Sequence, residues 1–342
     1  MEGVFETLGD EPMTSVDGRP TVGMQRALYG CQTSVLWAHF FDRLGFRLVL
    51  TPPTNPLISK LGIEAVTAET CYPVKVSLGH VKMLLGKTSL LFLPSIISIE
   101  VKNPGEVGFF CPMVQGNSYI SRAALDIDMS SVLNPVVHLN QGTGRLAQEL
   151  WEQTGRKIGV GKRTIESALL YAKEREADFT NDLIKTGRKF FEELNAGSPG
   201  VIVTGRPYNL YDERLNLRLG RSLSKIGLSA IPMDFVDCSN VDISDFPSMY
   251  WGLGARILRT AKMIGGTNGI YGLHLTNFGC GADSFLEHFY KYCMGEKPYL
   301  ILELDEHSGV AGVMTRLEAF KNVVYNSAGA VPEQEQEPRF AN

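Results

Sequence analysis

The chain has 342 residues, 44% apolar and 20% charged, the composition of a globular protein with room for two ordinary domains. A formal net charge of -4 gives no electrostatic case for nucleic acid or an anionic membrane, and no apolar run is long enough to span a bilayer. Met1 to Asp17 lacks a basic-then-apolar pattern, so no signal peptide is expected and a cytoplasmic location follows by default.

Residues 1–20 are polar and contain Gly and Pro, and read as a loose N-terminal segment. Thr21 to Ala27 reads as a short strand. Gln32 to Leu44 carries apolar residues at helical spacing and stops at Gly45. Phe46 to Leu50 is an expected strand, followed by the rigid Thr51-Pro52-Pro53-Thr54-Asn55-Pro56 loop. Helices are expected over Asn55 to Leu61, ended by Gly62, and over Pro73 to Leu85, ended by Gly86. The apolar Ser89 to Ile97 reads as one strand covered on both faces. Val114 to Leu125 reads as a helix and Val136 to Asn140 as a short strand. Helical pattern dominates from Thr143 to Asn195, interrupted at Gly155 to Gly161, and Gly197-Ser198-Pro199-Gly200 is the clearest internal break.

A second alternating unit follows. Strands are expected at Val201 to Thr204, Leu228 to Phe235, Ile270 to Leu275 and Tyr299 to Leu304. Helices are expected at Arg214 to Lys225, Met249 to Ile264, Ser284 to Cys293 and Val310 to Val324. The acidic, Gln/Pro-rich Asn326 to Asn342 reads as a disordered tail. The alternation argues for an α/β fold with doubly wound parallel sheets. The expected parts are a lobe over 21–142, a helical crossover over 143–198 and a second lobe over 199–325.

The six cysteines are far apart in a chain too large to need stapling, so metal, redox or burial are better readings than disulfides. Three of them sit where a loop or strand meets a helix. Cys71 lies in Glu69-Thr70-Cys71-Tyr72-Pro73, Cys111 in Phe109-Phe110-Cys111-Pro112, and Cys280 in Asn277-Phe278-Gly279-Cys280-Gly281. Proline suits a first helical turn, and a helix N-terminus favours a nearby thiolate. Zinc held by distant segments usually shows a close Cys pair, absent here, whereas a [4Fe-4S] cube takes thiolates one per iron. Three buried cysteines at helix starts remain the plainer alternative. Cys31 and Cys293 fall in or beside helical pattern and Cys238 in a polar loop; six thiolates could hold two joined cubes. Arg206, after a strand, could clamp a phosphate or carboxylate, or fix its loop by an ion pair. Glu306 and His307 could bind a hard metal or move protons, or cap the next helix. His80 reads as a satisfied core group.

The matching segments run in order from about Thr21 to Val324. They include Leu50-Thr-Pro-Pro-Thr-Asn55, Glu69-Thr-Cys-Tyr-Pro-Val-Lys75 with Leu78-Gly-His80, Phe110-Cys-Pro112, and Gly205-Arg-Pro-Tyr-Asn209 with Asp212. Tyr250-Trp-Gly252, Asn277-Phe-Gly-Cys-Gly281 with Asp283-Ser-Phe285, and Leu304-Asp-Glu-His307 follow. On these the sequence resembles the activase-related domain found with or fused to CoA-substrate-specific dehydratase activases. That domain is itself similar to subunits of 2-hydroxyacyl-CoA dehydratases and benzoyl-CoA-type reductases. The resemblance implies two Rossmann-like lobes with an interlobe cleft and a [4Fe-4S] cluster on Cys71, Cys111 and Cys280. It implies an ATP-dependent activase, as a separate chain or domain, that injects a low-potential electron. It also suggests an acyl-CoA substrate and a homo- or heterodimer. In the dehydratases that electron makes a ketyl radical on a thioester carbonyl; a relative with a double-cubane cluster reduces small molecules. Met24-Gln25 and Ala282 depart from the family pattern and touch no expected ligand. The expectation is a reductase or dehydratase component, against an electron relay, an assembly partner or a cluster-free binding module.

Overall fold

The structure is a computed structural model that describes residues 5–9, 11, 13, 17–101, 106–194 and 198–329. Short runs in the first part form β1 (Phe5–Thr7), β2 (Thr21–Met24) and β3 (Arg47–Leu50), with α1 (Gly30–Arg43) between the last two. The chain continues through α2 (Pro56–Ala65), α3 (Tyr72–Leu84), β4 (Leu90–Phe92), β5 (Ser95–Ser98), α4 (Pro112–Gln115), α5 (Asn117–Leu125), β6 (Val132–Leu133) and β7 (Val136–His138). One parallel sheet has the order β1-β3-β2-β4-β6, and β5 and β7 form a separate parallel pair. Met24, Leu48 and Leu50 point into one core while Val49 and Leu91 point into another, so both faces of this sheet are covered.

Four local expectations change here. Phe5–Thr7 is not loose: it adds an edge strand along β3, pairing Phe5 with Leu48, under the Arg26 guanidinium 5.8 Å from the Phe5 ring. Gly62 does not end its helix, because α2 runs on to Ala65. A Cβ at Gly62 would lie 2.0 Å from the Lys75 carbonyl oxygen, and one at Gly79 would lie 2.0 Å from that of Ile58. These glycines let two helices cross in backbone contact. The apolar run at 89–97 is two strands in two sheets, divided at Leu93-Pro94, where proline lacks a ladder donor. The 114–125 helix instead starts at Pro112 and breaks at Gly116 into α4 and α5.

Next come α6 (Thr143–Leu150), a π-helical turn at Trp151–Gly155, and the long α7 (Lys162–Glu193). Ile165, Ala168, Leu169 and Ala172 of α7 pack with α1 in the first core. Near its other end, Phe190 and Phe191 pack against the core of the second sheet. The helix therefore packs against both cores.

The second unit runs β8 (Gly200–Gly205), α8 (Pro207–Tyr211), α9 (Leu219–Lys225), β9 (Ser229–Pro232), α10 (Gly252–Gly266), β10 (Ile270–Asn277), α11 (Gly281–Met294), β11 (Tyr299–Leu304) and α12 (Val310–Ala328). Its parallel sheet has the order β11-β10-β8-β9. Along β8, Val201 and Val203 join one core while Ile202 joins the other, the alternation of a sheet wound on both faces. The helix expected from Arg214 begins only at Leu219, because the Asp212 carboxylate takes the N–H groups of Arg214 and Leu215 and the chain turns left-handed at Leu217 and Arg218. Helix α12 includes residues 326–328 of the expected tail; positions 330–342 of that tail and Gly197 of the expected internal break lie outside the described residues. Among the described residues no helix is long and apolar enough to cross a membrane.

Tyr208, Leu215 and Leu253 belong to the first core although they follow the second sheet's first strand. That packing carries the loops after β8 and β9 towards the segments that hold Cys71 and Cys111.

Candidate functional site

Cys71, Cys111 and Cys280 are the residues immediately before α3, α4 and α11, each in extended backbone. Proline fixes the entry of the first two helices. The third depends on Gly279, whose φ of 75° turns the chain after β10. The N–H of Val74 favours the Cys71 thiolate, as that of Asp283 favours the Cys280 thiolate. Burial nevertheless pushes the Cys71 thiol up, and with the Asp283 carboxylate it pushes Cys280 up to about 12. Cys71 also feels Cys111, Cys280 feels Cys71, and the buried Tyr208 hydroxyl feels all three sulfurs. Segments as far apart in the sequence as those of Cys71 and Cys280 thus share one electrostatic neighbourhood.

Arg206 lies in the same neighbourhood, in the field of all three cysteines. It follows β8 directly and is 2% exposed. Its Nε and Nη2 donate to one oxygen of Asp283 at 3.2 and 2.8 Å, and the Thr276 hydroxyl donates to the other at 2.7 Å. The register that sets Gly205 opposite Leu275 makes this pairing possible. Burial opposes both charges, but Arg206 holds the Asp283 carboxyl below its ordinary range, and Asp283 keeps Arg206 charged. Removing one member of such a pair costs about 3–5 kcal/mol, since the other is left buried and uncompensated. The ion-pair reading of Arg206 is therefore the one observed.

Glu306 and His307 lie on the turn after β11. The Glu306 carboxylate accepts from Lys75 Nζ at 2.6 Å, and Glu69 accepts from the same ammonium at 2.6 Å. The His307 side chain is exposed; its N–H donates to Asp305 at 3.0 Å, and its ring acts on Glu69. These residues clasp α3 to the end of β11.

His80 is fully buried between Thr51 and Thr54, 2.6 Å from Nδ1 and 2.8 Å from Nε2. The Thr54 hydroxyl gives its one proton to Asp212, so Nε2–H must donate to Thr54. Nδ1 then accepts from Thr51, whose oxygen takes the Arg26 N–H at 2.8 Å. Burial pushes the His80 pKa down to about 3, which keeps the ring neutral as this chain of bonds requires. It is a satisfied core histidine that also ties the loop after β3 to the segment after α8.

Cys31 responds to Arg26 and Asp212, Cys238 to Thr260 and Asp237, and Cys293 to Lys262 and Asp245. Cys31 packs against the same core as Cys71 and Cys111, whereas Cys293 packs against a core of the second sheet. Among the described residues no group of three His, Cys, Asp or Glu is spaced to hold a single metal ion. A zinc ion would need its sulfurs roughly 4 Å apart, given Zn–S bonds of about 2.3 Å. A cube puts each thiolate on a different iron, a wider separation. Cys71, Cys111 and Cys280 sense one another but are not clustered at single-ion spacing.

Residues 21–236 match the family model described as the CoA enzyme activase uncharacterised domain (DUF2229). The chain belongs to this family. Cys71, Cys111 and the Gly205-Arg206-Pro207-Tyr208 turn fall within the matched residues of this CoA enzyme activase domain; Cys280 and Asp283 lie beyond them. No curated protein matches the chain. Among solved structures, it is similar to glucosamine-6-phosphate deaminase from Thermotoga maritima, at 9% identity and a TM-score of 0.21, with 95% of this chain and 88% of that one covered. A manganese-bound S38A periplasmic metal binding protein from Candidatus Liberibacter asiaticus gives 9% identity and a TM-score of 0.26, covering 91% and 100%. Likenesses at these scores carry neither fold nor function to this chain.

The sequence pattern alone assigns no role to Tyr208, Asp283 or Lys75. A signal existed for one of them: a buried arginine demands a carboxylate, and the first turn after Cys280 offers Asp283.

Proposed function

We propose that this member of the CoA enzyme activase domain family is an iron–sulfur protein. Cys71, Cys111 and Cys280 would hold a [4Fe-4S] cluster, and the chain would act as a reductase or dehydratase component. The observation that carries the reading is that three cysteines at helix N-termini converge on one turn: Cys71 and Cys111 pack against the core that holds Tyr208, and Asp283, in the first turn after Cys280, holds Arg206 two residues before that tyrosine. Its resemblance to dehydratase subunits adds an ATP-dependent activase as electron donor and an acyl-CoA thioester as substrate class.

The bound cluster supplies a low-potential one-electron carrier with fewer cysteine ligands than irons. The chain supplies the rest. Helix N-termini and the Val74 and Asp283 N–H groups stabilise sulfur in its ligand form, offsetting the burial that favours the thiol. Arg206 adds a permanent positive charge whose field reaches the three sulfurs. Half-burial of the cysteines limits water around them.

Single Cys→Ser variants test the assignment. Purified without oxygen, each of Cys71→Ser, Cys111→Ser and Cys280→Ser is expected to lose most bound iron while remaining folded by circular dichroism. Unchanged iron content in any of the three contradicts the ligand set.

A further inference from the structure

We infer that Arg206, locked in place by Asp283, is a positioning charge that sets how readily the site accepts an electron. The inference rests on the iron–sulfur reading above and goes one step further, assigning a role to a residue pair that supplies no ligand.

Three observations carry it. Arg206 is fully enclosed, and a guanidinium stays charged at any physiological pH. Its orientation is fixed, because Nε and Nη2 share one Asp283 oxygen while Thr276 holds the other. Its field reaches Cys71, Cys111 and Cys280. Other polar groups in this field are Tyr208 and the buried His274, whose Nδ1 lies 3.1 Å from the Thr204 hydroxyl.

The step concerned is a bare electron transfer: a low-potential one-electron donor is oxidised, the cluster is reduced, and no bond to the protein forms or breaks. The added electron increases the negative charge next to three thiolates. A buried cation lowers the energy of that reduced state, and poor screening inside the protein enlarges the effect. Asp283 acts with the opposite sign and is felt at Cys280. The two residues should therefore move the reduction potential in opposite directions, whereas a merely structural role would make both substitutions act alike.

The test is an equilibrium redox titration of the cluster, followed by electron paramagnetic resonance, with dithionite and mediators as the electron source. Asp283→Asn is expected to shift the potential upwards from wild type. Arg206→Met in the Asp283→Asn background is expected to shift it back below Asp283→Asn, and Arg206→Lys in that background to retain part of the rise. Equal potentials in wild type and Asp283→Asn, or a downward shift in Asp283→Asn, overturn the inference. Should the Met variant fail to retain iron, Asp283→Asn alone decides. Wild-type protein that holds no cluster contradicts the iron–sulfur reading instead, so the two failures are distinct.

Discussion

Lys75 Nζ and Glu306 Oε1 meet at 2.6 Å across 231 residues of sequence, joining the helix that follows Cys71 to the end of β11. Burial works against the ammonium, but Glu306 and Glu69 together raise the Lys75 pKa. The side chain of Lys75 is 7% exposed and that of Glu69 86%, so Glu306 is the partner that matters. Glu306→Gln should cost about 2 kcal/mol, the price of a weakly paired buried charge. Chemical denaturation near neutral pH checks it. Because the folded pKa of Lys75 is raised, its stabilisation is full below the ordinary lysine value and fades as pH rises through the folded one.

His80 gives the opposite pH signature. Its folded pKa of about 3 lies below the ordinary 6.5, so the unfolded chain binds the proton first. Stability is complete above about 6.5 and falls as pH drops towards 3, by up to about 4 kcal/mol if the ring stays enclosed. His80→Gln removes the titrating group. Its denaturation free energy should be lower than wild type at pH 7 and should fall less steeply between pH 6.5 and 4. Parallel slopes would show that His80 protonates without unfolding its loop. Nitrogen shifts of the ring should report the Nε2–H form.

Gly62→Ala or Gly79→Ala places a methyl carbon 2.0 Å from a backbone oxygen, a contact that only helix separation can relieve. Each substitution should lower stability by about 1–3 kcal/mol. Gly220→Ala on α9 is the control, since nothing lies within 4 Å of its Cβ. There alanine should be neutral or slightly stabilising, because helix propensity alone is changed. Thermal melts of the three variants compare them directly.

Much of the fold was legible because local chemistry marked it. Gly45, Gly86 and Gly227 mark turns by positive φ, and Pro73 and Pro112 mark helix starts beside Cys71 and Cys111. Gly62 misled because a glycine inside a helix can serve a crossing instead of an end. Pro94 was overlooked as the divider of two sheets within one apolar run. For Arg206, the sequence leaves a ligand clamp and a loop-fixing ion pair both open and does not point to the partner, because Asp283 is 77 residues away and strand register brings them together. Glu306 and His307 carried the right residue types for chemistry, yet Glu306 pairs with Lys75, a contact set by how α3 meets β11.

The other three cysteines make a separate prediction. Cys31 shares a core with Cys71 and Cys111 but answers to Arg26 and Asp212, and Cys238 and Cys293 answer to still other groups, so serine at any of them should leave iron content and signal unchanged. Iron loss in Cys31→Ser, measured by colorimetric assay on oxygen-free protein, would favour a larger centre such as two joined cubes.

The most direct measurement is iron and acid-labile sulfide per chain in protein prepared without oxygen, with electron paramagnetic resonance after dithionite. The account predicts about four irons and four sulfides per chain. A reduced-cluster signal should accompany them. Colourless protein that takes up no iron after anaerobic reconstitution, while folded, would contradict it.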